Sequence, residues 1–318
     1  MDTLSSLQSF IRVVELGSFT AAAREAGVSQ PSMSKAVAAL EQELGARLLK
    51  RSTTSLVLTE EGRRFYRRSK GVLEEFEDAK ADIRGQTQSL AGRLVVTAPV
   101  GLGELRLNAL ALEFLAAYPG IELELILNDR YVDLVEEGVD VAIRLGKELP
   151  PNLIARKLGA SPRVLVATPD YLRRTPKIRT PEDLSRHEYI RFAGVSALAR
   201  LEFSKGSARV VVAPRGRYCV NSSLALRQCF LEGAGLGSAP AWLVQDLIDT
   251  GALVALLPGW TLPPQDLHLL YPSRRYQPQR TLALLQFLTE RLPQLAGFTE
   301  KKSAKAGRKP RVGSTGDS

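Results

Sequence analysis

Apolar residues recur at helical spacing from the first turns of the chain: Leu4, Leu7, Ile11 and Val14 share one face. Gly17 ends that run, and Ser18 reads as the N-cap of a short second helix through Ala26. Gly27 suits the left-handed position that closes it, and Val28 is expected to plug the space between helices. A third helix opens at Ser29 or Gln30, with Pro31 near its first position, where a missing N–H costs nothing. Met33, Val37, Leu40 and Leu44 then face a helical core. Pro31, Lys35, Ala38 and Gln42 fall on the opposite side, flanked by Ser32 and Ser34. That side is small and hydrogen-bonding at its N-terminal end, the texture a helix needs to enter the major groove of DNA.

Gly45 ends the third helix, and "ARLLKRSTTSLVLT" reads as a short two-stranded wing carrying Arg47, Lys50, Arg51, Ser52, Thr53 and Thr54. Basic and hydroxyl-bearing loops beside a reading helix commonly hold phosphates. Thr59 caps a long helix reaching about Gln88, with Glu60 and Glu61 in its first turn. Along it Phe65, Val72, Phe76, Ala79, Ile83 and Leu90 fit the seam of a coiled coil, with Ser69 and Gln86 as polar exceptions. That pattern predicts dimerisation; the alternative is a helix lying on a globular domain.

After Gly92 the pattern changes to β-α-β-α-β: strand "RLVVTAP", helix Leu102–Tyr118, strand "IELELIL", short helix Val132–Glu137, strand "VDVAIRLG". This order predicts an α/β domain with a largely parallel sheet. A second series starts near Arg163 with "RVLVATP" and continues through "RVVVAP", helix Ser222–Gly233, strand "LGSAP" and helix Ala241–Thr250. "DLHLLYP" and helix Thr281–Arg291 follow, so two α/β halves with a late return predict a bilobed domain with a cleft.

Composition narrows the function classes. The 318 residues are 44% hydrophobic and 24% charged, as in soluble globular proteins. No apolar run reaches the ~18–20 residues of a membrane span, and no secretory signal is visible, so a cytoplasmic protein is expected. Of the net charge of +9, the Lys- and Arg-rich end 301–318 carries +5. Residues 35–70 hold nine basic against four acidic side chains, a local patch that suggests an anionic polymer as partner, though a solvated charged surface would look the same. Two histidines, His187 and His268, and two cysteines, Cys219 and Cys229, supply neither a metal cluster nor a disulfide framework. Glycine-rich phosphate loops and G-x-S-x-G elbows are missing too. Neither catalytic residues, metal nor cofactor is expected.

The stretch "LQSFIRVVELGSFTAAAREAGVSQPSMSKAVAALEQELGARLLKRSTTSLVLTEEG" (Leu7–Gly62) resembles the winged helix-turn-helix of LysR-type transcriptional regulators. "DRYVDLVEEGVDVAIRLG" (Asp129–Gly146) and "GAGLGSAPAWLV" (Gly233–Val244) resemble the family's effector domain, which is periplasmic-binding-protein-like. The resemblance covers about residues 1–295. It implies a winged helix-turn-helix over 1–59, a linker and dimerisation helix over 60–90, and a bilobed α/β effector domain over 91–298. Lobe I would hold about 91–163 and 267–298, and lobe II about 164–266. The tail 299–318 is expected to be disordered and basic.

The resemblance further implies a homodimer through the linker helix, or a homotetramer, bound to double-stranded promoter DNA of dyad symmetry, with RNA polymerase and a small-molecule effector as further partners. Gln30, Pro31, Ser32, Ser34 and Lys35 would approach bases or adjacent phosphates. Arg51, Thr53 and Thr54 would lie near the wing contact; relatives often carry arginine at the position of Thr54, and threonine has a shorter reach into the minor groove. By the rule that doubly wound sheets bind ligands beyond strand ends, the effector candidates are Thr97, Pro99, Val100, Gly101, Asn128, Asp129, Arg144, Gly146, Phe203, Asn221 and Ser222. Gly101 stands where the family often places a serine, which weakens the case for an acidic effector. Arg144 has a structural alternative, a pair with Asp129 or Glu136. Two other readings stay open: a thiol switch through Cys219 and Cys229, and an enzyme or solute-binding protein sharing only the α/β half.

Overall fold

The computed structural model describes residues 2–51, 56–83, 90–131, 133–147, 149–151, 153–193, 200–273 and 277–300. Three helices, α1 (Thr3–Leu16), α2 (Phe19–Glu25) and α3 (Gln30–Leu44), pack around Leu7, Phe10, Ile11, Val13, Ala22, Met33, Val37 and Leu40. Their boundaries are set by chemistry visible in the sequence. Asp2, Ser18 and Ser29 cap the three N-termini with side-chain oxygens, and Gly17 and Gly45 close α1 and α3 at φ +61° and +63°. Two expectations fail here. Leu44 is exposed at the end of α3, and Val28 is exposed where it was expected to plug the turn.

The wing strands β1 (Leu49–Arg51) and β2 (Leu56–Leu58) pair antiparallel. Glu41 of α3 grips the wing: its carboxylate accepts the N–H groups of Leu48 and Leu49 at 2.7 and 3.0 Å. Helix α4 (Glu60–Ile83) follows, and the predicted continuation over 84–89 lies outside the described residues. Thr59 joins wing and helix. Its hydroxyl accepts the Gly62 N–H at 2.9 Å and donates to the Arg47 carbonyl at 2.7 Å. Gly62 is required at this junction, since a Cβ there would stand 2.0 Å from the Leu48 carbonyl oxygen.

The second domain is built on one mixed sheet. Strands β3 (Ala91–Ala98), β4 (Gly120–Leu127) and β5 (Val141–Leu145) are parallel, with β3 in the middle. Between β3 and β4 run α5 (Val100–Leu102), a π-helical turn (Gly103–Leu107) and α6 (Asn108–Ala117). In place of the helix predicted over 132–137, residues 134–138 form a single hydrogen-bonded turn capped by Asp133, which accepts the N–H groups of Val135 and Glu136; residue 132 lies outside the described residues. The 15-residue strand β6 (Leu153–Ala167) begins the second half. It is followed by α7 (Pro169–Arg174), a 3-10 helix (Pro181–Arg186), and the short strands β7 (Arg191–Phe192), β8 (Leu201–Lys205), β9 (Ala208–Val212) and β10 (Cys219–Val220). Helix α8 (Ser223–Leu231), β11 (Gly237–Pro240), α9 (Ala241–Asp249) and β12 (Val254–Leu256) precede the return strand β13 (Leu262–Pro272) and α10 (Gln279–Arg291).

β13 lies between β5 and β6 and is antiparallel to both, so the sheet order is β11-β6-β13-β5-β3-β4. The strands of the β-α-β-α-β series, β3, β4 and β5, are parallel as expected, β13 adds an antiparallel return beside them, and β7 and β10 pair parallel in the second half. Two β-bulges interrupt the β6–β13 ladder, between Leu262 and Gln265 and between Leu267 and His268. Pro162, Pro263 and Pro264 sit at the first, where no ladder N–H can be donated. Ser161 pins this crossing: it is fully buried, donates to the Gly297 carbonyl at 2.7 Å and accepts the Trp242 N–H at 3.1 Å. Residues Thr299–Glu300, expected within a disordered tail, form strand β14 against β6, satisfying backbone groups at its edge; residues 301–318 lie outside the described residues.

Substituting Gly62 by alanine should lower stability by about 1–3 kcal/mol despite alanine's better helix propensity, because the methyl has nowhere to go; urea unfolding measures it. A second expectation concerns pH. Both histidines are buried, and desolvation holds His187 and His268 below the ordinary imidazole value near 6.5. A depressed folded-state value means that stability is complete above the unfolded value and is lost as pH falls below it. Melting temperature should drop between pH 7 and pH 5, and less so in His268→Gln.

Candidate functional site

The first site is the outer face of α3. Met33, Ala36, Val37 and Leu40 are buried, whereas Gln30, Pro31, Ser32, Lys35, Ala38 and Ala39 are exposed and Ser34 is half-buried. Ser29 caps the helix through the Ser32 N–H at 3.3 Å, and the two hydroxyls lie 2.8 Å apart. No acidic residue occupies the first turn of α3, so the positive end of its dipole is not cancelled there. Arg47 and Lys50 are exposed on the chain leading into the wing. For Arg51 only the backbone is described, at the end of β1, and Thr53 and Thr54 lie outside the described residues.

Part of the domain's remaining charge is used internally. Arg12 on α1 bridges Glu15 and Glu25, which raises its pKa. Glu15 also holds Lys70 of α4 at 2.5 Å and accepts the Tyr66 hydroxyl; burial opposes its ionisation, yet these cations keep its carboxyl below the usual range. α1 and α4 are thereby locked together behind the reading face.

Beyond that lock, α4 leaves apolar side chains in solvent. Val72 and Phe76 are 55% and 43% exposed, on the predicted seam. Phe65 packs instead against the N-terminal core, with its ring 5.8 Å from Phe10, and Leu90 joins the core of the second domain.

The effector candidates divide into three groups. At the ends of the parallel strands, Arg144 is buried and reaches Thr97 Oγ1 at 3.2 Å and the Arg130 carbonyl at 3.4 Å, with Tyr131 stacked 5.8 Å away. Burial pushes its pKa down, and Tyr131 and Asp129 partly offset that. It forms no ion pair with Asp129 or Glu136 among the described residues. Asp129 accepts the Val100 N–H at 3.1 Å, Asn128 accepts from Arg130 at 2.9 Å, Pro99 stands at the start of α5, and Gly146 turns the chain at φ +112°.

Gly101, Asn221 and Ser222 form the second group, at the start of α8. Ser222 is its N-cap, Asn221 is exposed, and a Cβ on Gly101 would meet Ser223 Oγ at 2.1 Å. α5 thus packs closely on the start of α8 at Gly101. Phe203 stands alone: it is buried in a core with Leu165, Tyr189 and Leu236 and its ring faces the edge of Trp260, so it is a core residue and not a cleft residue.

Sequence reasoning missed a large cavity. About 1030 Å³ opens beside β6, β7 and β11, and none of the residues predicted for the effector lines it. Arg163, Arg191, Arg200 and Arg215 line it together with Tyr189, Ser238 and Cys219. Gly216 sets its wall, because a Cβ there would come 1.7 Å from the Tyr189 carbonyl oxygen. The two thiols are free: Cys219 is exposed, and burial pushes the Cys229 thiol up, away from reactivity.

A three-helix core with an exposed polar helix front, a wing, and a sheet of two α/β halves define one family. Residues 4–63 match the "bacterial regulatory helix-turn-helix protein, lysR family", and residues 87–293 match the "LysR substrate binding domain". The chain belongs to the LysR family of transcriptional regulators. It is 36% identical over 289 residues to the HTH-type transcriptional regulator PtxR of Pseudomonas aeruginosa, covering 91% of this chain and 93% of PtxR. Its fold is similar to CrgA, a LysR-type regulator from Neisseria meningitidis (30% identity, 91% of this chain and 98% of that one, TM-score 0.58). It is also similar to the full-length virulence activator AphB of Vibrio cholerae (29% identity, 91% and 99%, TM-score 0.56). The chain is a DNA-binding regulator with a winged helix-turn-helix and a periplasmic-binding-protein-like effector domain.

Proposed function

We propose that the protein reads a dyad-symmetric promoter as a homodimer or homotetramer and that a small molecule in its effector domain alters that binding. The polar front of α3, exposed on a helix whose other face is buried, carries this reading. Gln30, Ser34 and Lys35 lie against base edges or adjacent phosphates in the major groove, Pro31 and Ser32 shape the entry of the helix, and Arg51, Thr53 and Thr54 follow the backbone at the wing. The units are 1–59 for DNA binding, 60–90 for the linker, and 91–298 for effector binding, with the change of lobe near the bulged β6–β13 crossing. The exposed Val72 and Phe76 support a seam between two copies of α4.

The strand-end group around Thr97, Asp129 and Arg144 forms the lobe I side of the effector cleft, facing the start of α8. The protein works without catalysis, in the cytoplasm, and engages RNA polymerase at its promoter. Among the described residues no helix is long and apolar enough to cross a membrane. The high thiol pKa favoured by burial of Cys229 argues for a ligand over a thiol as the signal.

Lys35→Ala should weaken binding to the DNA upstream of the protein's own gene about equally for all sequences, and should lower the slope of log affinity against log salt by about 1. A salt titration by gel shift reads both. An unchanged affinity and slope would remove α3 from the phosphate contact.

A further inference from the structure

The large cavity beside β6 is unusual in its charge. Four guanidinium groups line it, from Arg163 on β6, Arg191 on β7, and Arg200 and Arg215 on the segments around β8 and β9. None of the four has a carboxylate within ion-pair distance among the described residues. The acid that does line the cavity, Glu202, is held by Arg209 at 2.9 Å. So the positive charge of the cavity is uncompensated by protein.

Such an arrangement costs stability unless an anion completes it. Burial pushes the pKa of Arg163 down, with Tyr189 partly offsetting it, and Arg191 Nε is buried without a hydrogen-bond partner. A neutral donor stands with them. Ser238 accepts the Tyr189 hydroxyl at 2.8 Å, and its N–H donates back to Tyr189 Oη at 3.1 Å. The Ser238 hydroxyl proton is left for a further acceptor. Between the cations the walls are apolar, through Phe192, Leu201 and Leu262.

We propose that this cavity is a binding site for a small organic polycarboxylate. Guanidinium forks match carboxylates bidentately, and several arginines around an apolar floor select a carbon skeleton bearing two or more carboxylates over a bare inorganic anion. At about 1030 Å³ the cavity is at the upper end of ligand-sized pockets, which run to roughly 1,000 Å³. The cavity shares no described lining residue with the strand-end group around Thr97 and Arg144, and the proposal adds a ligand class and a set of residues to the effector-domain reading on which it rests.

The test is thermal unfolding of the full chain with citrate, succinate or phthalate, against sodium chloride at equal ionic strength and against inorganic phosphate. At least one carboxylate should raise the melting temperature in a saturable way, as a ligand of the folded state must. In Arg163→Gln its dissociation constant should rise about tenfold or more, the loss expected for one charge-assisted hydrogen bond. Arg200 and Arg215 are exposed, so the double variant Arg200→Gln, Arg215→Gln keeps the fold and should weaken binding as well. A rise matched by chloride or phosphate, a rise unchanged in the double variant, or no rise with any of the three carboxylates overturns the proposal. No DNA enters the measurement, so its failure leaves the regulator reading standing.

Discussion

The ladder between β6 and β13 holds the effector domain together. β13 is paired on one side with β5 and thus with the parallel strands, and on the other with β6, which carries β11, β12 and β14. Every element of the second half reaches the first through this antiparallel pair or through helices packed over it. The pair is regular from Leu153–Pro272 to Lys157–His268, bulges before Gly159–Leu267, and bulges again beyond Ser161–Gln265, where prolines remove the N–H donors. Ser161 repairs the gap by bonding across to α9 and to Gly297, which itself has no room for a Cβ beside Trp242. Further side-chain ties span the same crossing. Arg106, from the π-helical turn, donates to the Trp242 carbonyl at 3.1 Å and reaches Asp246 of α9, which Arg227 of α8 also holds. The hydrogen bond from Arg227 leads in keeping the Asp246 carboxyl below its ordinary value.

Charge follows a parallel logic in the N-terminal domain. Arg12 of α1 and Lys70 of α4 are held by Glu15 and Glu25, and Lys35, Arg47 and Lys50 near the reading helix and wing are exposed to solvent. Surface pairs of this kind add little stability singly, but they fix which cations stay available to an external anion. Lys35, Arg47 and Lys50 therefore face outward as a set beside the uncancelled N-terminus of α3. The chain offers two anion-facing surfaces, one convex and built for a polymer, one concave and sized for a small molecule.

The N-terminal half was far more legible in the sequence than the rest. Helices α1–α3 announce themselves through apolar spacing, serine caps and glycines at left-handed positions, all of them local signals. Leu44 and Val28 misled because apolar identity near a helix end does not fix burial. Strand β6 was read only from Arg163 onward, since Gly159, Ser161 and Pro162 resemble a loop until β13 is seen against them. β7 and β10 have two residues each, too few for any period, and they bring Arg191 beside Cys219 only through pairing in space. The arginine cavity was invisible for that reason, and Phe203 was assigned to the cleft although a half-buried strand hides it in a core. The turn at 133–138 was misread as a helix because Asp133 suits either.

If α3 is the element that reads DNA and two copies do so together, position 30 lies against bases in both half-sites. Site-specific photocrosslinking from position 30, on the full chain bound to DNA from its own upstream region, tests this most directly. Base crosslinks should fall in two clusters related by dyad symmetry and separated by one or more helical turns of roughly 10 base pairs each. A single cluster, or crosslinks no stronger from position 30 than from Glu43 on the same helix, would contradict it.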